Sequence, residues 1–128
     1  MHKPIEHYPS TKPYPFSDAV KAGGFVFLSG QVSMDDRGLP LYASVEEQTR
    51  TILCNIENVL ARAECSLEDI VRVKVWLSDM KYFAAFNEVY RTFFQTHFPA
   101  RSLTTTNIAF NLDVEIEVQA LDRSHNGA

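Results

Sequence analysis

The 128-residue sequence has few cysteines and no long apolar run, and several classes of protein depend on one or the other. Its two cysteines, Cys54 and Cys65, form no CxxC pair and are too few for the disulfide framework of a small secreted domain. No apolar run approaches the roughly 20 residues of a membrane-spanning helix, and the N-terminus lacks the apolar stretch of a signal peptide. These absences lead us to expect a cytoplasmic protein with two ordinary thiols.

Basic residues are also scarce. Twelve Lys and Arg residues stand against sixteen Asp and Glu residues, which gives a net charge of −4, and there is no basic run. Nucleic acids and anionic membrane surfaces bind proteins largely through clustered positive charge. We therefore expect neither a nucleic acid nor a membrane as a partner.

Motifs for phosphate binding, covalent catalysis and zinc binding are absent. The sequence has no glycine-rich phosphate loop, no GxSxG nucleophile elbow and no HExxH zinc motif. A metal site would need ligands from distant segments, because the four histidines are scattered. We expect no metal site, and no catalytic triad stands out. The histidines are His2, His7, His97 and His125.

Apolar residues make up 45% of the chain and aromatic residues 12%, which is typical of a globular protein. The length predicts a single domain over residues 1–128, large enough to bury a real core. Both ends are expected to be flexible. Four prolines within the first 15 residues favour an extended start, and residues 124–128 have no apolar anchor.

Hydrophobic periodicity predicts an α+β fold. Residues 19–22 and 25–28 form a predicted hairpin around Gly23-Gly24. A long helix is predicted to begin at Ser44, where Ser44 and Glu47 match a capping box. The remaining predicted elements are a strand at 71–77, a helix capped by Asp79, and strands at 101–108 and 114–120. Two amphipathic helices would cover one face of a mixed sheet, and the other face would be half polar.

Three polar residues stand in unusual positions in this pattern. Arg101 follows Pro99-Ala100 at the start of a strand, and its planar guanidinium suits a carboxylate clamp as well as an ordinary strand end. Glu117 lies within an alternating strand. Its carboxylate suits either a base that handles water or an ordinary solvated position on the strand. Asn87 interrupts the aromatic stripe of the second helix. The residues alone leave each of these alternatives open.

A set of short motifs extends across residues 13–121. Taken together in this order, they resemble the RidA (YjgF) family of reactive-intermediate deaminases. The motifs are 14–20 (YPFSDAV), 27–31 (FLSGQ), 47–50 (EQTR), Asn55-Ile56 with Leu60, 75–80 (VWLSDM), Phe83 with Asn87 and Tyr90, 99–102 (PARS) and 114–117 (VEIE).

The resemblance implies a chorismate-mutase-like α+β fold and a homotrimer with clefts at the subunit interfaces. It also implies a deaminase that hydrolyses enamine or imine intermediates, such as 2-aminoacrylate or 2-iminobutanoate, to a 2-keto acid and ammonia. No metal or organic cofactor is implied, and the expected partner is a small carboxylated imine or keto acid.

Site residues follow from the resemblance position by position. Arg101 matches the arginine that holds the substrate carboxylate. Glu117 matches the acidic residue that positions the attacking water, and it is preferred to Glu115 because Asp113-Val114 is taken to anchor the register of the last strand. The matching substrate-binding positions are Phe16, Ser29, Gly30, Asn87, Ser102 and Leu103.

Three residues depart from the family pattern. Phe16 stands where many members have tyrosine, Leu103 where many have cysteine, and Tyr14 where glycine is usual. The first two changes make the pocket more apolar and remove polar contacts. They favour the alternative of a non-catalytic member that binds a carboxylated metabolite as a sensor or partner-binding module. A chorismate-mutase-type isomerase shares only the fold with these proteins, and a shared fold alone does not indicate a shared reaction.

Overall fold

Three antiparallel strands begin the sheet in the computed structural model, which describes residues 4–124. The strand β1 (Glu6–Pro9) pairs with β2 (Ser17–Ala22), which pairs with β3 (Phe25–Leu28). Gly23 and Gly24 turn the chain between β2 and β3 with φ values of +60° and +86°, which glycine adopts at little cost. The predicted hairpin is confirmed.

The strand β1 corrects the expectation of a loose N-terminal segment. Its residues pair with β2 along a regular register that shifts only between Tyr8 and Pro9. The expectation was based on the local proline content and did not take into account pairing with a strand further along the chain. The remainder of the expected flexible ends, 1–3 and 125–128, lies outside the described residues.

Four further strands complete a seven-stranded mixed sheet. The main order is β1-β2-β3-β7-β5-β6, and the short β4 also pairs with β7. Among the described strands, only β5 and β6 pair in parallel. The strand β6 is last in this order and forms one edge of the described sheet. These four strands are β4 (Gln31–Val32), β5 (Ile70–Leu77), β6 (Ala100–Thr105) and β7 (Val114–Leu121).

Two helices pack on one face of this sheet. The helix α1 (Val45–Arg62) begins where Ser44 accepts a hydrogen bond from the backbone N–H of Glu47. The predicted cap is thus confirmed, although the Glu47 carboxylate pairs with Arg50 rather than completing the box. The helix α2 (Phe83–Thr92) follows a 3₁₀ turn at Met80–Tyr82, and Asp79 caps that turn through the N–H of Lys81.

Alternation along the central strand β7 separates the core from an open face. Val114, Ile116, Val118 and Ala120 are buried beneath the helices, at most 1% exposed. The intervening residues are half-buried on the opposite face. That face is mixed in character, as the sequence predicted, and carries Phe25, Phe27, Arg72, Lys74, Trp76, Glu115, Glu117 and Gln119.

A buried polar network holds the start of β7 against α1. The Gln48 side chain, 1% exposed, donates to the Asp113 carboxylate at 3.1 Å and accepts from the Asp113 backbone N–H at 2.9 Å. Ser78 donates to the other Asp113 oxygen at 2.7 Å. These bonds fix the register that presents residues 115 and 117 on the open face.

Replacing Gln48 with leucine is expected to lower the free energy of unfolding by about 1–3 kcal/mol, because it leaves buried polar groups of Asp113 without partners. Urea denaturation measures the change, with the exposed Gln95→Leu as the matched control. Equal stability of the two variants would contradict the role given to this network.

Cys54 is exposed, Cys65 is buried, and both are free thiols. Within residues 4–124, no helix is long and apolar enough to cross a bilayer. In the same range, no three His, Cys, Asp or Glu side chains are grouped so that they could hold a metal ion.

Candidate functional site

Arg101 lies on the edge strand β6 and faces the helix α2. Its guanidinium carbon is 4.9 Å from the ring centre of Tyr90 and 5.6 Å from that of Phe86. Such cation–π contacts orient the guanidinium and cover one side of it. Burial raises the pKa of the Tyr90 hydroxyl to about 12, and the nearby positive charge of Arg101 partly opposes this rise.

A cavity of about 230 Å³ opens beside this guanidinium, between α2 and the segment before β6. Asn87 also lines this cavity, and its Oδ1 is buried without a hydrogen-bond partner among the described residues. The cavity thus combines a fixed cation with a neighbouring amide side chain, which suits a ligand that carries a carboxylate and a second polar group. Its other lining residues are Tyr90, Arg91, Phe98 and Pro99.

A second cavity, of about 270 Å³, lies near the open face of the sheet. It contains the carboxylate of Glu115 and the backbone of Gly30. A Cβ atom at position 30 would collide with Oε2 of Glu115, so only glycine leaves the carboxylate in its place. The remaining lining residues are Lys12, Tyr14, Phe16, Gln31, Val32, Met34, Ala109 and Phe110.

The environment of Glu115 favours its protonated form. Burial raises the pKa of this carboxyl above its ordinary value of 4.5, and the negative charge of Glu117 raises it further. Glu117 itself lies opposite Lys74 on β5. A carboxylate whose pKa is shifted toward neutrality is suited to accept and return a proton.

The two cavities lie on opposite faces of the sheet and share no lining residue. Arg101 is level with the buried Val73 and points to the helix side, whereas Glu115 is paired with Trp76 and points to the open side. One chain therefore holds its cation and its carboxylate apart. A site that uses both must combine residues of two copies.

The residues predicted from the sequence divide between these places. Arg101 and Asn87 line the first cavity, and Phe16 and Gly30 line the second. Glu117, Ser29, Ser102 and Leu103 line neither cavity in the described part of the chain. Ser29 donates to the Ser17 carbonyl at 2.6 Å, Ser102 accepts from Arg72 at 2.9 Å, and Leu103 packs against the core.

Sequence reasoning passed over Glu115 in favour of Glu117. The two glutamates share a strand face, so alternation gave no reason to separate them. In the structure Glu115, unlike Glu117, lines one of the two cavities, where it closely approaches Gly30 from a distant part of the chain. Tyr90 and Phe110 were also missed as site residues, the former because an aromatic helical stripe usually belongs to the core.

Comparisons with known proteins agree with this architecture. A family model described as Endoribonuclease L-PSP matches residues 8–122. The mitochondrial protein MMF1 of Saccharomyces cerevisiae is 41% identical over 110 residues, which cover 85% of this chain and 76% of that protein. A RutC family protein of Pyrococcus horikoshii is 40% identical over 108 residues, covering 84% and 85%.

Solved structures give the same result. The crystal structure of yeast Mmf1 matches with a TM-score of 0.87 and 37% identity, over 93% of this chain and 99% of that one. RidA from the Antarctic bacterium Psychrobacter matches with a TM-score of 0.80 and 31% identity, over 85% and 89%. The chain belongs to the RidA/YjgF family, whose matching model is the Endoribonuclease L-PSP model.

Proposed function

We propose that this protein is a deaminase that hydrolyses enamines and imines of 2-keto acids to the keto acid and ammonia, in a cleft formed by two copies of the chain. The observation that carries the proposal is the placement of Arg101 and Glu115 on opposite faces of one sheet. Each is half of a site. The amide side chain of Asn87, which lines the same cavity as Arg101, is the proposed hydrogen-bond partner of the substrate nitrogen.

The chemistry needs no covalent nucleophile, because an imine carbon is already electrophilic. Arg101 holds the substrate carboxylate through two parallel hydrogen bonds and so fixes the carbon beside it. Glu115 of the neighbouring copy orients a water molecule and takes its proton as the new C–O bond forms. That proton passes to the nitrogen of the intermediate formed from the protonated imine. The C–N bond then breaks as the hydroxyl proton returns to Glu115, so that ammonia leaves and a carbonyl group forms.

Glu115 replaces Glu117 in this proposal as the residue that handles the water. Two observations favour it: its place in the cavity beside Gly30, and its raised pKa. Glu117 instead supplies a neighbouring negative charge that raises the pKa of the Glu115 carboxyl.

A homotrimer with clefts at its interfaces is the assembly that we propose. The open face carries exposed aromatic residues beside its charges, with Phe25 41% and Phe27 38% exposed. The rings of Phe25 and Phe27 lie 6.4 Å apart, and adjoining exposed aromatic rings on one face support the proposal of a contact with another chain. The open edge at β6 places Arg101 where a neighbouring copy can reach it.

The proposed reaction is tested by generating the imine in place. An L-amino-acid oxidase with catalase forms the imine, and release of the keto acid is followed with and without this protein. Acceleration over spontaneous hydrolysis supports the deaminase. Saturable binding of a keto acid without acceleration would support the non-catalytic alternative, which the apolar side chain of Phe16 in the second cavity favours. The family description names an endoribonuclease, but a net charge of −4 does not favour an RNA substrate.

The pH profile should respond to Glu117. Removing its charge in Glu117→Gln lowers the pKa of Glu115, because the like charge that raises this pKa is gone. Glu115 then stays ionised to lower pH, and the acidic limb of kcat/KM shifts to lower pH. Glu57→Gln, an exposed change on α1, serves as the control. An acidic limb that stays in place, or shifts upward, would contradict this coupling.

A further inference from the structure

The lining of the cavity that contains Glu115 combines polar groups with large apolar side chains. Lys12, Gln31 and Glu115 supply its polar groups. Most of the remaining lining residues are large and apolar, and the rings of Tyr14 and Phe110 lie 6.2 Å apart at 45°. The apolar wall is formed by Tyr14, Phe16, Val32, Met34 and Phe110.

The backbone at Phe110 is strained in a way that core packing does not explain. Phe110 has φ +62° and ψ 21°, and Asn111 has φ +57°. The left-handed region is uncommon for a bulky side chain and is found most often at functional sites. The Phe110 ring nevertheless remains 45% exposed, so little burial compensates for this conformation.

Hydrogen bonds from two tyrosine hydroxyls hold the apolar wall in place. Tyr42 donates a hydrogen bond to the Phe110 carbonyl at 2.8 Å. Tyr14 donates to the Gly38 carbonyl at 3.0 Å, and its ring packs so closely on Gly38 that a Cβ there would meet it at 2.7 Å. The wall is therefore built before any ligand arrives, which is typical of a binding pocket.

We propose that Tyr14 and Phe110 bind the side chain of the substrate, and that the preferred 2-imino acids carry a large branched or aromatic side chain. The inference rests on the proposed function, since it places the reacting carbon beside Glu115. The single carbon of the 2-aminoacrylate side chain leaves this wall uncovered. A benzyl or isobutyl group covers it, and Phe16 offers no hydroxyl that would need a polar partner.

Binding of the product keto acids tests the proposal apart from turnover. Calorimetry on the assembled protein compares pyruvate with 3-phenylpyruvate and 4-methyl-2-oxopentanoate. One methylene in an apolar pocket changes discrimination by roughly 10- to 200-fold, so the larger acids should bind at least about tenfold more tightly than pyruvate. Equal or tighter binding of pyruvate would overturn the proposal.

Phe110→Asn is the informative variant, because asparagine tolerates a positive φ and the turn is preserved. It should remove most of the preference for 3-phenylpyruvate and leave the affinity for pyruvate within about twofold. Phe83→Asn removes a similarly exposed phenylalanine (38% against 45% for Phe110) outside the cavity and should leave the preference intact. A preference that survives in Phe110→Asn, or is lost in Phe83→Asn, would contradict the assignment.

Kinetics separate a failure of this inference from a failure of the proposed reaction. Imines made from alanine and from phenylalanine are compared at equal oxidase flux. If neither is accelerated while the binding preference holds, the reaction is wrong and the side-chain site stands. If both are accelerated with equal kcat/KM and the keto acids bind equally well, the reaction stands and the side-chain site is wrong.

Discussion

Arg101→Ala should lose about 30-fold to 4,000-fold of its affinity for a 2-keto acid, with a matching fall in kcat/KM. Truncating one partner of a buried charged hydrogen-bond pair costs about 2–5 kcal/mol, and each 1.4 kcal/mol is tenfold. The guanidinium meets this description because it is half-buried against Tyr90 and Phe86, beside the amide of Asn87.

Two further variants sharpen the result for Arg101. Arg101→Lys keeps the charge but loses the planar fork, so it should recover only part of the affinity. Arg50→Ala removes an arginine from the exposed side of α1, where it pairs with Glu47, and should bind as the wild type does. Unchanged affinity in Arg101→Ala would remove the carboxylate clamp from the account.

Glu115→Gln should lower kcat by about 10²- to 10⁴-fold, which is the usual contribution of a positioned general base. Glutamine keeps the size of the side chain and can still contact water, but it accepts no proton at neutral pH. Affinity for the keto acid should change little, because Arg101 makes the main contact with the carboxylate. The measurement is kcat with the imine generated in place, together with calorimetry on the keto acid.

Glu117→Gln is the matched control for Glu115→Gln, since the two glutamates lie two residues apart on one strand face. Its kcat at neutral pH should fall less than about tenfold, because the glutamate in contact with water is intact. The reverse ranking of the two variants would return the role to Glu117, as the sequence first indicated.

Local patterns in the sequence were enough to predict much of the fold. The helix α1 has an apolar stripe and the cap of Ser44, both of which depend on residues close in the chain. Alternation likewise predicted β5 and β7 and placed two helices on one face. The strand β1 was missed because its stability depends on pairing with β2, which the proline-rich composition of the segment does not reveal.

The site was harder to predict because its parts meet only in three dimensions. The type and position of Arg101 left both a carboxylate clamp and an ordinary strand-end arginine open, and only the family resemblance favoured the clamp. The choice between Glu115 and Glu117 depends on the approach of Gly30, and the strained turn at Phe110 has no signal in periodicity. The separation of Arg101 from Glu115 across the sheet follows from register, which alternation within single strands does not supply.

The central claim, a site shared between copies, is tested most directly by mixing two inactive variants. Arg101→Ala and Glu115→Gln chains are unfolded together in equal amounts, refolded, and assayed for imine hydrolysis. In a closed ring each mixed oligomer regains intact interfaces, and random mixing should restore about a quarter of wild-type activity. A mixture as inactive as its two parents would contradict the claim, because it would show that Arg101 and Glu115 must belong to the same chain.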